Sequence, residues 1–199
     1  MGILKTITEE YFGNIIREED EINRDCLDVK IVSFTDNNGK KHKRGYKPKD
    51  KDTLEKLLER MIKVRGDEDD FDDIDTSDIT SMQFLFNYKS TFNGDITGWN
   101  VSKVTDMSGM FFYAESFNQP IGNWEFPKVE NMSCMFWDAS SFNQPIGDWE
   151  FPNVKDMSGM FSHATSFNQD LSKWDLKGKN TKDMFSNCPI VDKYKPKMK

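Results

Sequence analysis

The chain has 199 residues, of which 36% are apolar, and a net charge of −7. This acidic balance argues against nucleic acid as the main partner, because binding phosphate groups needs a basic face. No apolar run approaches the ~18 residues that span a bilayer, and the chain begins without the basic start and apolar stretch of a signal peptide. We therefore expect cytoplasmic synthesis and no membrane span, with assembly into a virion or a surface structure left open.

Residues 1–45 are predicted to form a small module of one helix and one hairpin. Apolar side chains follow helical spacing within residues 1–19, at Ile7, Tyr11 and Ile15. Residues 28–46 contain a β-branched and aromatic run followed by Asp-Asn-Asn-Gly, a turn sequence in which Asn and Gly tolerate positive φ. This pattern predicts two antiparallel strands.

The returning strand of this hairpin carries a basic cluster. Its members are Lys40, Lys41, His42, Lys43 and Arg44. One interpretation is a contact patch for an acidic partner. The other, which we favour, is a solvated edge strand whose lysines discourage pairing with the sheets of other molecules.

Residues 46–73 are interpreted as a linker followed by a capping helix. Apolar side chains at helical spacing indicate the helix, and they are Leu54, Leu57, Leu58 and Met61. Gly66 stands where helices commonly end in left-handed backbone. Because a repeat array exposes the apolar side of its first coil, we expect this helix to cover it.

Residues 74–199 repeat with a period of 25 residues. Phe-Asn pairs begin at residues 92, 117, 142 and 167, and tryptophan recurs at 99, 124, 149 and 174. Met-Phe pairs begin at 110, 135, 160 and 184, so one residue is missing before the last pair. A fixed period of this length is typical of a solenoid.

The spacing within one repeat predicts its secondary structure. Apolar residues three and four positions apart between 104 and 114 favour a short helix. Trp124 and Phe126, two positions apart, favour a strand that buries both side chains on one face. We therefore predict an α/β repeat solenoid that is leucine-rich-repeat-like, with one short strand and one short helix per coil. A helical N-terminal cap and a small α+β segment precede it, and a C-terminal cap ends it.

Two polar columns have predicted structural roles. Asp106 and its equivalents 25 residues apart are predicted to be N-caps of the helices. The asparagines at 93, 118, 143 and 168 are predicted to form a ladder that bonds backbone groups of adjacent coils.

A third column points outward from the predicted strands and is mostly acidic. Together with neighbours one or two positions earlier, the candidate binding face comprises Asp73, Asp75, Asn100, Glu125, Asp148, Glu150 and Asp175. One interpretation is a docking surface for a basic protein segment or a cation. The alternative is a row of ordinary solvated carboxylates, because salt largely screens exposed charges.

The repeat motif resembles that of the BspA-like surface proteins, a relative of leucine-rich repeats that is also found in mycoplasma lipoproteins. The resemblance lies in Val104-Thr-Asp-Met-Ser-Gly-Met-Phe111, in Ser116-Phe-Asn-Gln119 and in Trp124, and it extends over residues 46–199. It implies a solenoid with a role in binding and adhesion, often to host proteins, and no catalytic residues. Surface members of that family normally carry an export signal, so the usual route of surface display is not expected here.

The function hypotheses are therefore non-enzymatic. The first is a protein-binding or adhesion module that presents a rigid repeat face. The second is a structural component of a larger assembly, such as a phage virion or bacterial surface structure, docked through residues 1–45. The sequence shows no Ser-His-Asp or Cys-His arrangement, no phosphate-binding glycine loop and no zinc-ligand spacing. We expect a protein partner, no enzyme activity and no cofactor, and the sequence predicts no oligomeric state.

Overall fold

The structure is a computed structural model that describes residues 29–197 apart from the side chain of Arg44. The helix predicted within residues 1–19 lies outside the described residues. The three-segment division of the chain stays a prediction.

The predicted hairpin is confirmed. Strand β1 (Lys30–Thr35) pairs antiparallel with strand β2 (Lys41–Lys47) in a two-stranded sheet. The buried carboxylate of Asp36 closes the turn between them, because it accepts hydrogen bonds from the backbone N–H groups of Asn38 at 3.0 Å and Lys40 at 2.9 Å. Gly39 supplies the positive φ of 83° that the turn needs.

The predicted capping helix is also confirmed. Helix α1 (Lys51–Arg65) begins after Asp50, whose side chain accepts a hydrogen bond from the backbone N–H of Thr53 at 2.9 Å. It ends at Gly66 with a φ of 98°. The predicted apolar stripe is fully buried in the same core as the first repeat.

The predicted fold class is wrong. In the described part of the chain, α1 is the one α-helix and the β1–β2 hairpin is the one sheet, and both precede the repeats. Inside the repeats the regular elements are two 3₁₀ helices of three residues each, Ile121–Asn123 and Asp192–Tyr194. No repeat contains the predicted strand and helix, so the α/β leucine-rich-repeat-like solenoid is not present.

Backbone hydrogen bonds explain why the segment from 104 to 114 is not helical. The N–H groups of Met107, Gly109 and Phe111 donate to carbonyl oxygens 24 residues later, at 2.9, 2.8 and 2.9 Å. The N–H groups between them close turns three residues long, such as Met110 to Met107 at 3.2 Å. An N–H that bonds the next repeat cannot bond the carbonyl four residues earlier, so no α-helix forms. The apolar spacing of three comes from consecutive turns.

Positive φ angles mark the same turns. Two positions per repeat have left-handed backbone, and a helix cannot continue through such residues. The first set is Phe84, Gly109, Cys134, Gly159 and Asp183. The second set is Tyr88, Tyr113, Asp138, His163 and Asn187.

The segment from Trp124 to Phe126 buries its side chains as predicted without forming a strand. Trp124 and Phe126 are each 2% exposed, and Glu125 between them is exposed. Within the described residues, no backbone hydrogen bond joins Glu125 to a neighbouring repeat. The alternation of burial therefore arises from an extended segment that is held by its side chains.

Stacked aromatic rings fill the core. One column stacks Phe86, Phe111, Phe136 and Phe161 at successive ring-centroid distances of 5.5, 5.4 and 5.5 Å. Such pairs add about 0.5–1.5 kcal/mol each beyond the burial of their apolar area. The exact repeat in the sequence thus stacks identical rings.

The predicted asparagine ladder is confirmed. The backbone N–H groups of residues 118, 143 and 168 donate to the side-chain oxygen of the asparagine one repeat earlier, at 2.9, 3.0 and 3.0 Å. The predicted N-cap role of Asp106 is wrong, because no helix follows it. Its carboxylate instead accepts a hydrogen bond from the backbone N–H of Ser108 at 2.8 Å and closes a turn.

The hairpin lies against the start of the repeats. The N–H of Tyr46 donates to the carbonyl of Asp73, and the N–H of Asp75 donates to the carbonyl of Tyr46, both at 2.8 Å. At the hairpin tip, the N–H of Asn37 donates to the carbonyl of Gly98 at 2.8 Å. These bonds position the first acidic residues of the candidate face.

Candidate functional site

The two N-terminal members of the candidate face serve the structure. Arg65 donates two hydrogen bonds to the half-buried carboxylate of Asp73, at 3.1 and 2.9 Å. Burial raises the pKa of Asp73, and the Arg65 guanidinium reduces that shift without cancelling it. Asp75 is 8% exposed and accepts a hydrogen bond from Lys47 Nζ at 2.9 Å. Both carboxylates are engaged inside the protein.

Side-chain turns occupy three members of the outward column. Asp75, Asn100 and Asp175 each accept a hydrogen bond from the backbone N–H two residues later, at 3.0, 3.0 and 3.1 Å. Burial raises the pKa of Asp75, but the hydrogen bonds from Ser77 and Lys47 outweigh it, so the net pKa is lowered. Short Asp and Asn side chains suit this turn.

Glu125 and Glu150 are released from that role by proline. The residues two positions later are Pro127 and Pro152, which have no backbone N–H to donate. Both glutamates are exposed, and their side chains make no hydrogen bond or ion pair with the described residues. These two prolines were the signal in the sequence that could have set the two glutamates apart from the rest of their column.

An open groove brings these two glutamates together with Asp148. We call it the acidic groove; it has a volume of about 380 Å³, and its lining consists of Trp124, Glu125, Phe126, Pro127, Asp148, Trp149, Glu150 and Pro152. The ring of Phe126 meets that of Trp149 edge to face at 4.8 Å. The lining contains three carboxylates and no lysine or arginine. Asp148 reaches outward to Lys173 Nζ at 2.7 Å, and both side chains are largely exposed.

The next groove along the same side has a different charge. Its volume is about 420 Å³, and Lys173, Lys177 and Lys179 line it together with Glu150 and Asp175. Lys179 is held by the carbonyl oxygens of Phe151 and Val154, at 2.7 and 3.0 Å. The candidate face is therefore acidic in its middle, with lysines beyond the acidic groove.

Two indole N–H groups beside the acidic groove lack acceptors. Trp99 and Trp174 donate to carbonyl oxygens of the preceding repeat at 3.0 and 3.1 Å, but the buried Nε1 atoms of Trp124 and Trp149 have no partner among the described residues. An unpaired buried donor costs roughly 1–3 kcal/mol. The repeats that form the groove thus depart from the hydrogen bonding of their neighbours.

The basic cluster of the hairpin does not form one patch. The side chain of His42 is 8% exposed and meets Asp36 at 2.7 Å, and its ring stacks on Phe34 at 4.8 Å. Lys40 pairs with Asp70 at 2.7 Å, whereas Lys41 and Lys43 are exposed. The side chain of Arg44 lies outside the described part. His42 therefore points away from the lysines beside it.

A row of aromatic residues crosses four repeats on another side, and it was not predicted from the sequence. We call it the aromatic stripe, and it consists of Phe84, Tyr88, Phe112, Tyr113, Trp137 and His163. Ring-centroid distances are 5.0 Å for Tyr88–Tyr113, 6.1 Å for Phe112–Trp137 and 5.7 Å for Trp137–His163. Comparing the columns that contain residues 84 and 88 would have found it, because these columns vary more than the core columns.

The described residues form neither a metal site nor a membrane span. Across residues 29–197, no group of three or more His, Cys, Asp and Glu side chains could hold a metal ion. None of the helices in that range is both long and apolar enough to span a bilayer.

Comparison with known proteins gives a family. A family model described as "Mycoplasma protein of unknown function, DUF285" matches residues 54–174 and 128–195. The chain belongs to this family. The matched region of this DUF285 member includes α1, the acidic groove and the aromatic stripe. Searches of the curated proteins and of the solved structures found no match.

Proposed function

We propose that this protein is a non-enzymatic protein-binding module, and that its acidic groove holds a basic segment of a partner protein. The observation that carries the proposal is the clustering of Glu125, Asp148 and Glu150 around a floor of tryptophan, phenylalanine and proline. Carboxylates on an apolar floor suit an arginine or lysine side chain, whose apolar stem packs on rings while its charged head meets the acids.

The groove is available because its two glutamates have no internal role. Asp73 and Asp75 already have cationic partners, so a basic ligand would have to displace Arg65 or Lys47 to reach them. Glu125 and Glu150 have none among the described residues, so a ligand gains their full attraction. Complementary charge of this kind contributes mainly to specificity and to the rate of association.

The repeat motif supports the same function. Its residues resemble BspA-like surface repeats, for which binding and adhesion are implied, and this gives the proposal a context without naming a partner. Because proline lacks an N–H, Pro127 and Pro152 offer no backbone donor along the groove. Recognition would therefore depend on side-chain charge and ring contacts.

Charge reversal in the groove tests the proposal. We expect Glu125→Lys with Glu150→Lys to weaken binding of a synthetic peptide of alternating arginine and alanine by about tenfold or more, because an attractive pair becomes repulsive at two sites. The measurement is surface plasmon resonance with the full chain at low salt.

The matched control is Glu68→Lys with Glu115→Lys. Both residues are exposed and lie outside the groove lining, and this pair changes the net charge by the same amount. We expect the control to retain most of the affinity. Equal losses in the two double variants would show that overall charge, and not the groove, holds the peptide.

A further inference from the structure

The aromatic stripe exposes large rings that the core does not need. Phe84 is 44% exposed and Tyr88 is 66% exposed. The fourth repeat has Gly159 at the position of Phe84 and a buried serine, Ser162, at the position of Phe112 and Trp137. Because that repeat makes the same inter-repeat backbone bonds, the rings are not required for stacking.

Three of these aromatic residues also occupy unfavourable backbone. The φ angles of Phe84, Tyr88 and Tyr113 are 55°, 56° and 55°, in the left-handed region. That region suits Gly, Asn and Asp and disfavours bulky side chains. Other repeats use Gly109 and Asp138 at the equivalent positions. Exposed rings kept at strained positions suggest a role in binding, and not in folding.

The stripe combines rings with neutral hydrogen-bonding groups. The hydroxyl groups of Tyr88 and Tyr113 lie in the same column as Asp138 and His163, and a side-chain hydrogen bond joins Tyr113 to Asp138. The stripe itself contains no lysine, arginine or carboxylate, although 31% of the chain is charged. Its charge therefore matches an uncharged ligand.

We propose that the aromatic stripe binds a neutral glycan chain. Sugar rings present apolar C–H faces to the negative faces and edges of aromatic rings, and their hydroxyl groups meet acceptors and donors at the rim. The stripe offers a new ring at intervals of 5.0 to 6.1 Å, an interval similar to the length of one sugar unit in an extended chain. This surface is separate from the acidic groove.

Two other ligands fit less well. A proline-rich peptide offers carbonyl acceptors and few donors, so the acceptor oxygens of Asp138 would gain nothing from it. A basic peptide finds one carboxylate beside the stripe and three in the acidic groove. Hydroxyl groups supply donors without charge, which is the combination that the stripe matches.

Tryptophan fluorescence can report this binding selectively. Trp137 is half-buried, whereas the four tryptophans of the core are between 0% and 4% exposed. Acrylamide therefore quenches mainly Trp137. We expect cellohexaose, chitohexaose or mannohexaose to protect the full chain from quenching in a saturable way.

Variants that borrow residues from other repeats keep the test independent of folding. Phe84→Gly with Tyr88→Asn introduces the residue types found at equivalent positions, so we expect unchanged or higher thermal stability and a loss of about tenfold or more in glycan affinity. Glu125→Lys with Glu150→Lys should bind the glycan like the natural chain.

Three results would overturn the proposal. The first is no saturable protection by any of the three hexasaccharides. The second is protection by the arginine–alanine peptide alone, which would make the stripe a protein-binding surface. The third is unchanged glycan affinity in the Phe84→Gly, Tyr88→Asn variant, because binding would then lie elsewhere.

Discussion

At the residue scale, the identity of one neighbour decides whether an outward side chain is structural or available. Asn100 closes a turn onto Ser102, and Asp175 closes the same turn onto Lys177. Where proline replaces the turn donor, the column contains glutamate. The exposed acids of the groove thus arise where the turn has lost its hydrogen-bond donor.

Asp72 gives a prediction about pH. It is 4% exposed, and burial raises its pKa to about 7, although the N–H of Gly98 donates to it at 2.7 Å. The charges of Asp95, Asp70 and Asp36 raise this pKa further. The folded chain therefore holds a proton that the unfolded chain releases, so the free energy of unfolding falls as pH rises towards 7.

Asp72→Asn removes this titration. Between about pH 5 and about pH 8 we expect the natural chain to lose ~2 kcal/mol of stability relative to the variant. Urea unfolding at the two pH values measures the difference. A parallel pH dependence in both proteins would show that Asp72 titrates normally.

At the element scale, regular hydrogen bonding between repeats replaces regular secondary structure within them. The hairpin and α1 could be predicted because their signals are local: a turn sequence, a cap and an apolar stripe. The segment from 104 to 114 could not, because spacing of three and four fits both a helix and a series of turns. What decides between them is the destination of each N–H, and that lies one repeat away.

The asparagine ladder is the element whose role the sequence predicted best. Asn118 accepts hydrogen bonds from the backbone N–H of Asn143 at 3.0 Å and from Gln144 Nε2 at 3.1 Å. We expect Asn118→Ala to cost about 1–3 kcal/mol, because it leaves these donors unpaired. Urea unfolding measures it.

Asn153→Ala is the matched comparison for the ladder. Asn153 is exposed and makes one side-chain bond, to the carbonyl of Pro127 at 2.6 Å. It should cost less than Asn118→Ala. If both substitutions cost the same, the ladder contributes no more than an ordinary surface contact.

At the scale of the whole molecule, identical repeats build the core and their differences build the surfaces. The Phe and Trp columns could be predicted to be buried because they never vary. The acidic groove and the aromatic stripe lie where repeats differ, at Pro127 and Pro152 and at Phe84 and Tyr88. A period shows what is shared, so it drew attention away from the aromatic stripe. It also suggested one continuous acidic face, although Arg65 and Lys47 pair with its first members.

The two surfaces give the molecule two separable binding activities. The acidic groove is proposed for a basic protein segment, and the aromatic stripe for a neutral glycan. Because different side chains line them, substitutions in one should leave the other intact.

Mapping the peptide contact by NMR tests the central claim most directly. On adding the arginine–alanine peptide to the isotope-labelled full chain, we expect the largest amide shifts at residues 124–126 and 148–151, which form the acidic groove. Shifts confined to other residues, or none at saturating peptide, would contradict the proposed protein-binding function.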